Sequence, residues 1–146
     1  MFDSILGLPL HPLVVHGVVV LLPLMALVTV VVAVRARWRQ RLAWPLVVVN
    51  LGVAGMAFTA KESGEALARR LTGLDISAHE SWGKVVPIMA VLLLAATGLL
   101  AVTRRNAKVG PVAVVLVMLA AAAAVFWTIR AGHTGAEAVW GATISR

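Results

Sequence analysis

The sequence predicts an all-α integral membrane protein, a four-helix bundle, from its composition, its uncharged runs and its basic loops. Of 146 residues, 61% are hydrophobic and 13% are charged, which would leave a soluble domain of this size without enough polar surface. A helix of about 20 apolar residues crosses roughly 30 Å of hydrocarbon and satisfies its own backbone hydrogen bonds. Four runs carry no formal charge, residues 4–34, 42–60, 85–103 and 109–129. Residues 1–146 are therefore predicted to form one transmembrane domain in a lipid bilayer.

The first two helices are predicted from their prolines and from helix-forming residues. The first covers residues 12–34, because Pro12 suits a first helical turn. The second covers residues 43–71, starts near Pro45, and continues through AKESGEALARRL. Since these residues favour helix, we expect the second helix to extend beyond the outer leaflet.

Two capping patterns place the remaining helices. The third helix is predicted over residues 78–103, also reaching past the outer leaflet, because SAHE places a serine cap three residues before a glutamate. The fourth is predicted over residues 111–131. TGAE repeats the capping pattern after it, which predicts a separate short helix over residues 135–142 along the outer interface.

Basic residues predict the orientation in a bacterial inner membrane. Seven of them fall in the first and third loops, where no acid occurs: Arg35, Arg37, Arg39, Arg41, Arg104, Arg105 and Lys108. By the positive-inside rule these loops face the cytoplasm, and both termini lie outside. The net charge of +7 thus arises from the cytoplasmic loops. It predicts attraction to anionic lipid, and nucleic acid is not an expected partner.

Polar and small residues inside the apolar segments predict helix contacts. Asn50 is expected to hydrogen-bond to a neighbouring helix, since an amide is costly against lipid. Glycines and alanines supply surfaces for close approach of helices, which would serve packing within one chain or in a homo-oligomer.

Four histidines are the candidate functional residues. His11, His16, His79 and His133 come from three helix ends, all on the predicted outer side. The chain has no cysteine, which excludes thiolate metal sites and covalent c-type haem attachment. A cofactor must therefore be held by nitrogen or oxygen ligands.

The leading hypothesis is a b-type haem that two imidazoles hold near the outer leaflet for electron transfer. His16 is the first choice as ligand because it lies deepest, and an ionisable residue within a membrane segment is a functional candidate. His79 or His133 would approach from across the bundle, with His11 at the cap of the first helix. Gly83 leaves room beside His79 for a macrocycle. Arg130 is placed to pair with a haem propionate.

Two alternatives remain open on the residues alone. The four histidines, with Glu80, are nitrogen and carboxylate ligands that would suit a zinc, copper or iron ion. In the third hypothesis the protein is a structural subunit whose histidines cap helices. No nucleophile arrangement is recognisable, so the sequence predicts no particular enzymatic reaction.

Three segments resemble a known family. GLPLHPLVVH, SAHESWGK and GHTGAEAVW are similar to the bacterial four-helix membrane family called domain of unknown function 2231, and the resemblance covers nearly the whole chain. It implies a four-helix membrane fold and a loose association with b-type cytochrome architectures and attached redox modules, and this implied association is the reason that haem is the leading hypothesis. Any redox partner would then be a separate protein or a quinone.

Overall fold

The computed structural model describes residues 4–5, 8–69 and 76–144, and almost all of them are helical. Two short strands, β1 (Ser4–Ile5) and β2 (Leu8–Pro9), pair antiparallel before the first helix. Five helices follow in chain order: α1 (Leu10–Val34), α2 (Ala36–Ala68), α3 (Ser77–Gly83), α4 (Val86–Thr103) and α5 (Gly110–Ile144).

Four segments are long and apolar enough to cross a membrane, which confirms the predicted four-span, helical fold. They are His11–Val34, Ala36–Ala68, Ser77–Thr103 and Gly110–Gly141. Large apolar side chains cover the outside of the bundle; Val48 and Leu119, for example, are 68% and 63% exposed. Soluble monomers rarely show such a surface, so these side chains are suited to contact lipid.

The second helix begins earlier than the sequence predicts. It starts at Ala36 instead of residue 43 and runs through Pro45, leaving only Arg35, with an extended backbone, outside both helices. Alanine, arginine, glutamine and leucine after this break are good helix formers, and they outweigh the proline. The predicted end at residue 71 lies outside the described residues.

The third span, predicted as one helix over residues 78–103, is broken in two. Helix α3 ends at Gly83, and Pro87 lies in the first turn of α4. The predicted capping box is wrong in detail, because Ile76 is the N-cap residue and Ser77 is already helical. The carboxylate of Glu80 instead lies 2.7 Å from Lys84 Nζ.

Helix α5 continues where a break was predicted. It runs without interruption from Gly110 to Ile144. The prediction of a separate short helix over residues 135–142 is therefore wrong. The hydroxyl of Thr134 does not act as an N-cap: it donates to the carbonyls of Arg130 and Ala131 in the preceding turn. A threonine that satisfies its hydroxyl in this way is compatible with the interior of a helix.

The membrane-spanning helices form a bundle in which α1 and α4 each pack against both α2 and α5, while α3 packs mainly on α5. Small side chains fill much of the interior, which allows the helices to approach closely. The main core cluster consists of Val18, Leu22, Ala26, Val53, Ala54, Ala57, Ala60, Val86, Ala90, Leu93, Ala121, Ala124 and Ala131.

A buried amide links three helices within this apolar interior. Asn50 in α2 is 2% exposed. Its Nδ2 donates to Thr29 Oγ1 in α1 and to Thr97 Oγ1 in α4, both at 3.1 Å. The expected interhelical role of Asn50 is therefore confirmed.

Candidate cofactor site at the histidine end

Two of the four histidines come together at one end of the bundle. His11 begins α1 and His79 lies in α3, and their ring centres are 6.3 Å apart with the planes at 71°. Both side chains are half-buried. We call His11 and His79 the histidine pair, and the end of the bundle where they lie the histidine end.

Each ring of the histidine pair is held by a backbone carbonyl on another helix. His11 Nδ1 lies 2.9 Å from the carbonyl oxygen of Ala60 in α2. His79 Nδ1 lies 2.9 Å from the carbonyl oxygen of Ala131 in α5. A carbonyl oxygen only accepts, so Nδ1 must carry the proton in both rings. In a neutral ring, the Nε2 lone pair is then free to bind a metal.

The two carbonyl sites have the same local sequence pattern. Residues 60–64 read AKESG and residues 131–135 read AGHTG. In both segments the carbonyl belongs to an alanine, a hydroxyl residue stands three positions later, and a glycine comes directly after the hydroxyl residue. Ser63 Oγ donates to the Ala60 carbonyl at 3.0 Å, and Thr134 Oγ1 donates to the Ala131 carbonyl at 3.2 Å. Both halves of the chain thus build the same acceptor for a histidine ring.

The glycine of each pattern makes room for the ring. A Cβ added to Gly64 would lie 2.7 Å from His11 Cε1, and one added to Gly135 would lie 2.9 Å from His79 Nδ1. Any side chain at either position would collide with the imidazole. Gly64 and Gly135 were not predicted to belong to the site, although the same alanine, hydroxyl residue and glycine recur in both segments.

The other two histidines lie apart from this arrangement. His16, the first ligand predicted from the sequence, is exposed and donates from Nδ1 to the carbonyl of Pro12 in its own helix. His133 is also exposed, and its Nε2 lies 3.2 Å from Glu137 Oε1. Both rings are therefore partnered within their own helix, unlike those of the histidine pair.

Three further residues were predicted to belong to the site: Gly83, Glu80 and Arg130. Gly83 lies one turn after His79 and is half-buried, and a Cβ there would meet no atom within 4 Å. The guanidinium of Arg130 stands 4.8 Å from the ring centre of Trp82. Trp82 also contacts Phe126 and Trp127, at ring-centre distances of 6.2 and 6.0 Å. Glu80 is paired with Lys84, and among the described residues it belongs to no group of three or more potential metal ligands.

A site with three protein ligands is not formed by the part of the chain that the structure describes. There, no group of three or more histidine, aspartate or glutamate side chains could hold a metal ion. The histidine pair therefore offers two nitrogen ligands, the number that an iron already held by a macrocycle accepts from a protein.

A family comparison covers almost the whole chain. The sequence profile of a family described as "predicted membrane protein (DUF2231)" matches residues 7–145. The chain belongs to the DUF2231 family. This membership agrees with the resemblance carried by the three segments around the histidines, and it supports assignment of the chain as a membrane protein. Comparisons with curated proteins and with solved structures gave no match.

Proposed function

We propose that this DUF2231 protein binds one b-type haem through His11 and His79 and transfers electrons at the outer face of the membrane. The observation that carries the proposal is the histidine pair itself, with both Nδ1 atoms bound to carbonyls and both Nε2 atoms left for a ligand. Such a bond from the second ring nitrogen orients a ligating histidine and increases its basicity.

The ring separation would also let both imidazoles of the histidine pair reach one iron. A metal–imidazole bond is about 2 Å long, and a ring nitrogen lies roughly 1.1 Å from its ring centre when C–N bonds are about 1.33 Å. Two such rings have centres about 6 Å apart. The 6.3 Å between the ring centres of the histidine pair is close to this value.

The surroundings suit a flat cofactor at shallow depth. Gly83, one turn after His79, has open space beside it, and the exposed guanidinium of Arg130 stands over the ring of Trp82. An exposed guanidinium is a suitable partner for a propionate. A bound haem would supply one-electron chemistry, while this chain supplies the ligands, their orientation and the partly apolar setting.

We also propose an orientation in the membrane. The histidine end faces the outside of a bacterial inner membrane, because seven basic residues and no acid lie at the opposite end. Helix α2 has 33 residues, which is about 50 Å at 1.5 Å per residue and exceeds the roughly 30 Å of hydrocarbon. Its Ala60–Ala68 part would then extend beyond the outer leaflet, where a redox partner protein or a quinone could reach the haem.

Visible spectroscopy of variants tests the ligand assignment. Protein from haem-replete and metal-replete cells is purified in mild detergent, and its absorption is recorded oxidised and reduced. The unmodified chain should show a haem spectrum that changes on reduction. His11→Ala and His79→Ala should each lose it, because each substitution removes one of the two imidazoles that would hold the iron.

His16→Ala and His133→Ala are the matched controls, since they remove exposed imidazoles with partners in their own helix. Both should keep the spectrum. Elution volume in gel filtration shows that each variant is folded. The proposal fails if no haem is retained, if zinc or copper is bound without pigment, or if His11→Ala and His79→Ala retain the pigment of the unmodified chain.

A further inference from the structure

The end of the bundle opposite the histidine pair carries a concentration of positive charge without acids. We call it the basic end: Arg35, Arg37, Arg39, Arg41, Arg104, Arg105 and Lys108. No aspartate or glutamate occurs in residues 4–61 or in residues 81–136. These seven cations therefore have no carboxylate near them in the sequence, and an anion from outside the chain is their natural counter-charge.

Two of these arginines differ from the rest in their contacts. Arg39 Nη1 donates to the carbonyl of Ala33, in the last turn of α1, at 3.0 Å. Arg104 Nη1 donates to the carbonyl of Ala101, in the last turn of α4. The other five side chains are exposed, whereas Arg39 and Arg104 are partly buried. Each of the two guanidinium groups is thus held in place at a helix end.

The held guanidinium groups each retain a donor without a partner. The Nε atoms of Arg39 and Arg104 are buried and make no hydrogen bond within the part of the chain that the structure describes. A buried N–H that lacks an acceptor is unfavourable. Because the Nε atoms are enclosed, a phosphate would pair with the Nη donors of the planar guanidinium group, which the partly buried side chains hold at the helix ends.

The C-terminal ends of α1 and α4 pack into one buried cluster. Ala33 of α1 belongs to the same buried cluster as Leu100 of α4, together with Ala113 and Val117 of α5. Arg39 is bonded to Ala33, and Arg104 follows Leu100 by one turn. The two anchored arginines therefore flank one apolar cluster at the basic end.

We propose that Arg39 and Arg104 form a binding site for a phosphate group at the basic end, with the exposed cations around them attracting the anion. A phosphate of this kind comes from the headgroup of an anionic lipid or from free phosphate. Clusters of lysine and arginine beside membrane helices recognise such headgroups. The site is independent of the haem proposal, because it lies at the other end of the bundle.

Thermal unfolding in a non-ionic detergent tests the site and its source of phosphate. Phosphatidylglycerol, zwitterionic phosphatidylcholine and inorganic phosphate are added separately. Phosphatidylglycerol should raise the Tm of the unmodified chain, and phosphatidylcholine should not. A rise with inorganic phosphate alone would identify free phosphate as the ligand.

Two double variants that lose the same charge distinguish binding at a specific site from nonspecific electrostatic attraction. Arg39→Gln with Arg104→Gln should weaken phosphatidylglycerol binding about tenfold or more, as expected when charge-assisted hydrogen bonds are lost. Arg37→Gln with Arg105→Gln removes the same charge from exposed positions and should weaken it much less. Equal weakening in the two double variants, or no response to any phosphate in the unmodified chain, would overturn the proposal.

A second comparison holds even if the double glutamine variant fails to fold. Arg104→Lys keeps the charge and loses the planar fork; Arg105→Lys is its exposed control. A larger loss of affinity in Arg104→Lys than in Arg105→Lys supports the site, and indistinguishable affinities refute it.

Discussion

A histidine at the end of a membrane helix can satisfy a ring nitrogen in two ways, and this chain uses both. His16 donates to the carbonyl four residues earlier in its own helix. His11 and His79 donate to carbonyls 49 and 52 residues away along the chain. Only the second kind of bond fixes a ring relative to another helix, and for this reason the candidate site is built from His11 and His79.

The same distinction explains which site residues could be predicted. His79 and Gly83 could be named as candidate site residues from one segment alone. The predicted start of the third helix places His79 in its first turn, and the small size of Gly83 leaves room beside it. His16 was ranked above His11 on depth alone, since sequence distance does not reveal which imidazole faces a neighbouring helix. Gly64 and Gly135 acquire their role from contact with a ring on another helix, which no local pattern specifies.

Glycine substitutions test the packing of the histidine pair. Gly64→Ala and Gly135→Ala place a methyl group within 3 Å of His11 and His79, so each ring must leave its carbonyl. Loss of an orienting bond of this type costs about 10–100-fold in metal affinity, and we expect haem affinity to fall by that amount in a titration followed by absorption. Gly52→Ala is the control, because its added methyl meets no atom within 4 Å. Unchanged affinity in Gly64→Ala and Gly135→Ala would contradict the described packing.

At the scale of the elements, Asn50 is the polar link that fixes α2 against α1 and α4. Its Nδ2 is fully used by Thr29 and Thr97, while its buried Oδ1 has no partner among the described residues. Replacing Asn50 with an apolar residue removes the unpaired Oδ1 acceptor together with the two hydrogen bonds from Nδ2. Replacing a threonine leaves a buried N–H unpaired. The two kinds of change therefore have different costs.

This asymmetry gives an ordering of stabilities. Thr97→Val should lower the free energy of unfolding by about 1–3 kcal/mol, the cost of a buried unsatisfied donor. Asn50→Leu should cost only about 1 kcal/mol, because hydrogen bonds between membrane helices average about 0.6 kcal/mol each. Adding Asn50→Leu to Thr97→Val should then restore part of the loss. Reversible unfolding in detergent measures all three variants, and strictly additive losses would disprove the role of the unpaired donor.

Element boundaries were harder to predict than element existence. The four spans follow from apolar length, because a segment in hydrocarbon must satisfy its own backbone hydrogen bonds. The start of α2 and the continuity of α5 were mispredicted because Pro45 and the TGAE pattern look like helix starts locally. In the bundle, Pro45 lies within α2, and Thr134 belongs to the part of α5 that receives His79.

At the scale of the whole molecule, the chain consists of two halves with the same plan. In the first, His11 binds a carbonyl on α2; in the second, His79 binds a carbonyl on α5, and each carbonyl lies in an alanine, hydroxyl and glycine pattern. The histidine pair forms where the halves meet. Neither half alone supplies both ligands, so the proposed haem site depends on assembly of the complete bundle.

The proposed orientation is testable because the chain contains no cysteine. Gly141→Cys and Asn106→Cys each create one reactive thiol at an exposed position. In intact cells with a permeabilised outer membrane, a membrane-impermeant maleimide should label the first and not the second. Asn106→Cys should react only after the inner membrane is opened, since the positive-inside rule places this loop in the cytoplasm. The reverse labelling would invert the topology and place the histidine pair on the cytoplasmic side.

The sequence by itself determined the membrane environment, the number of spans, the family and the separation of charge between the two ends. These properties depend on composition and segment length, which are local and additive. The tertiary structure alone decided that His11 meets His79 while His16 and His133 remain exposed, and that Gly64 and Gly135 receive the two rings. The rotation of each helix about its axis depends on packing against its neighbours, and a side chain 49 or 52 residues away in the chain becomes a partner only through that packing.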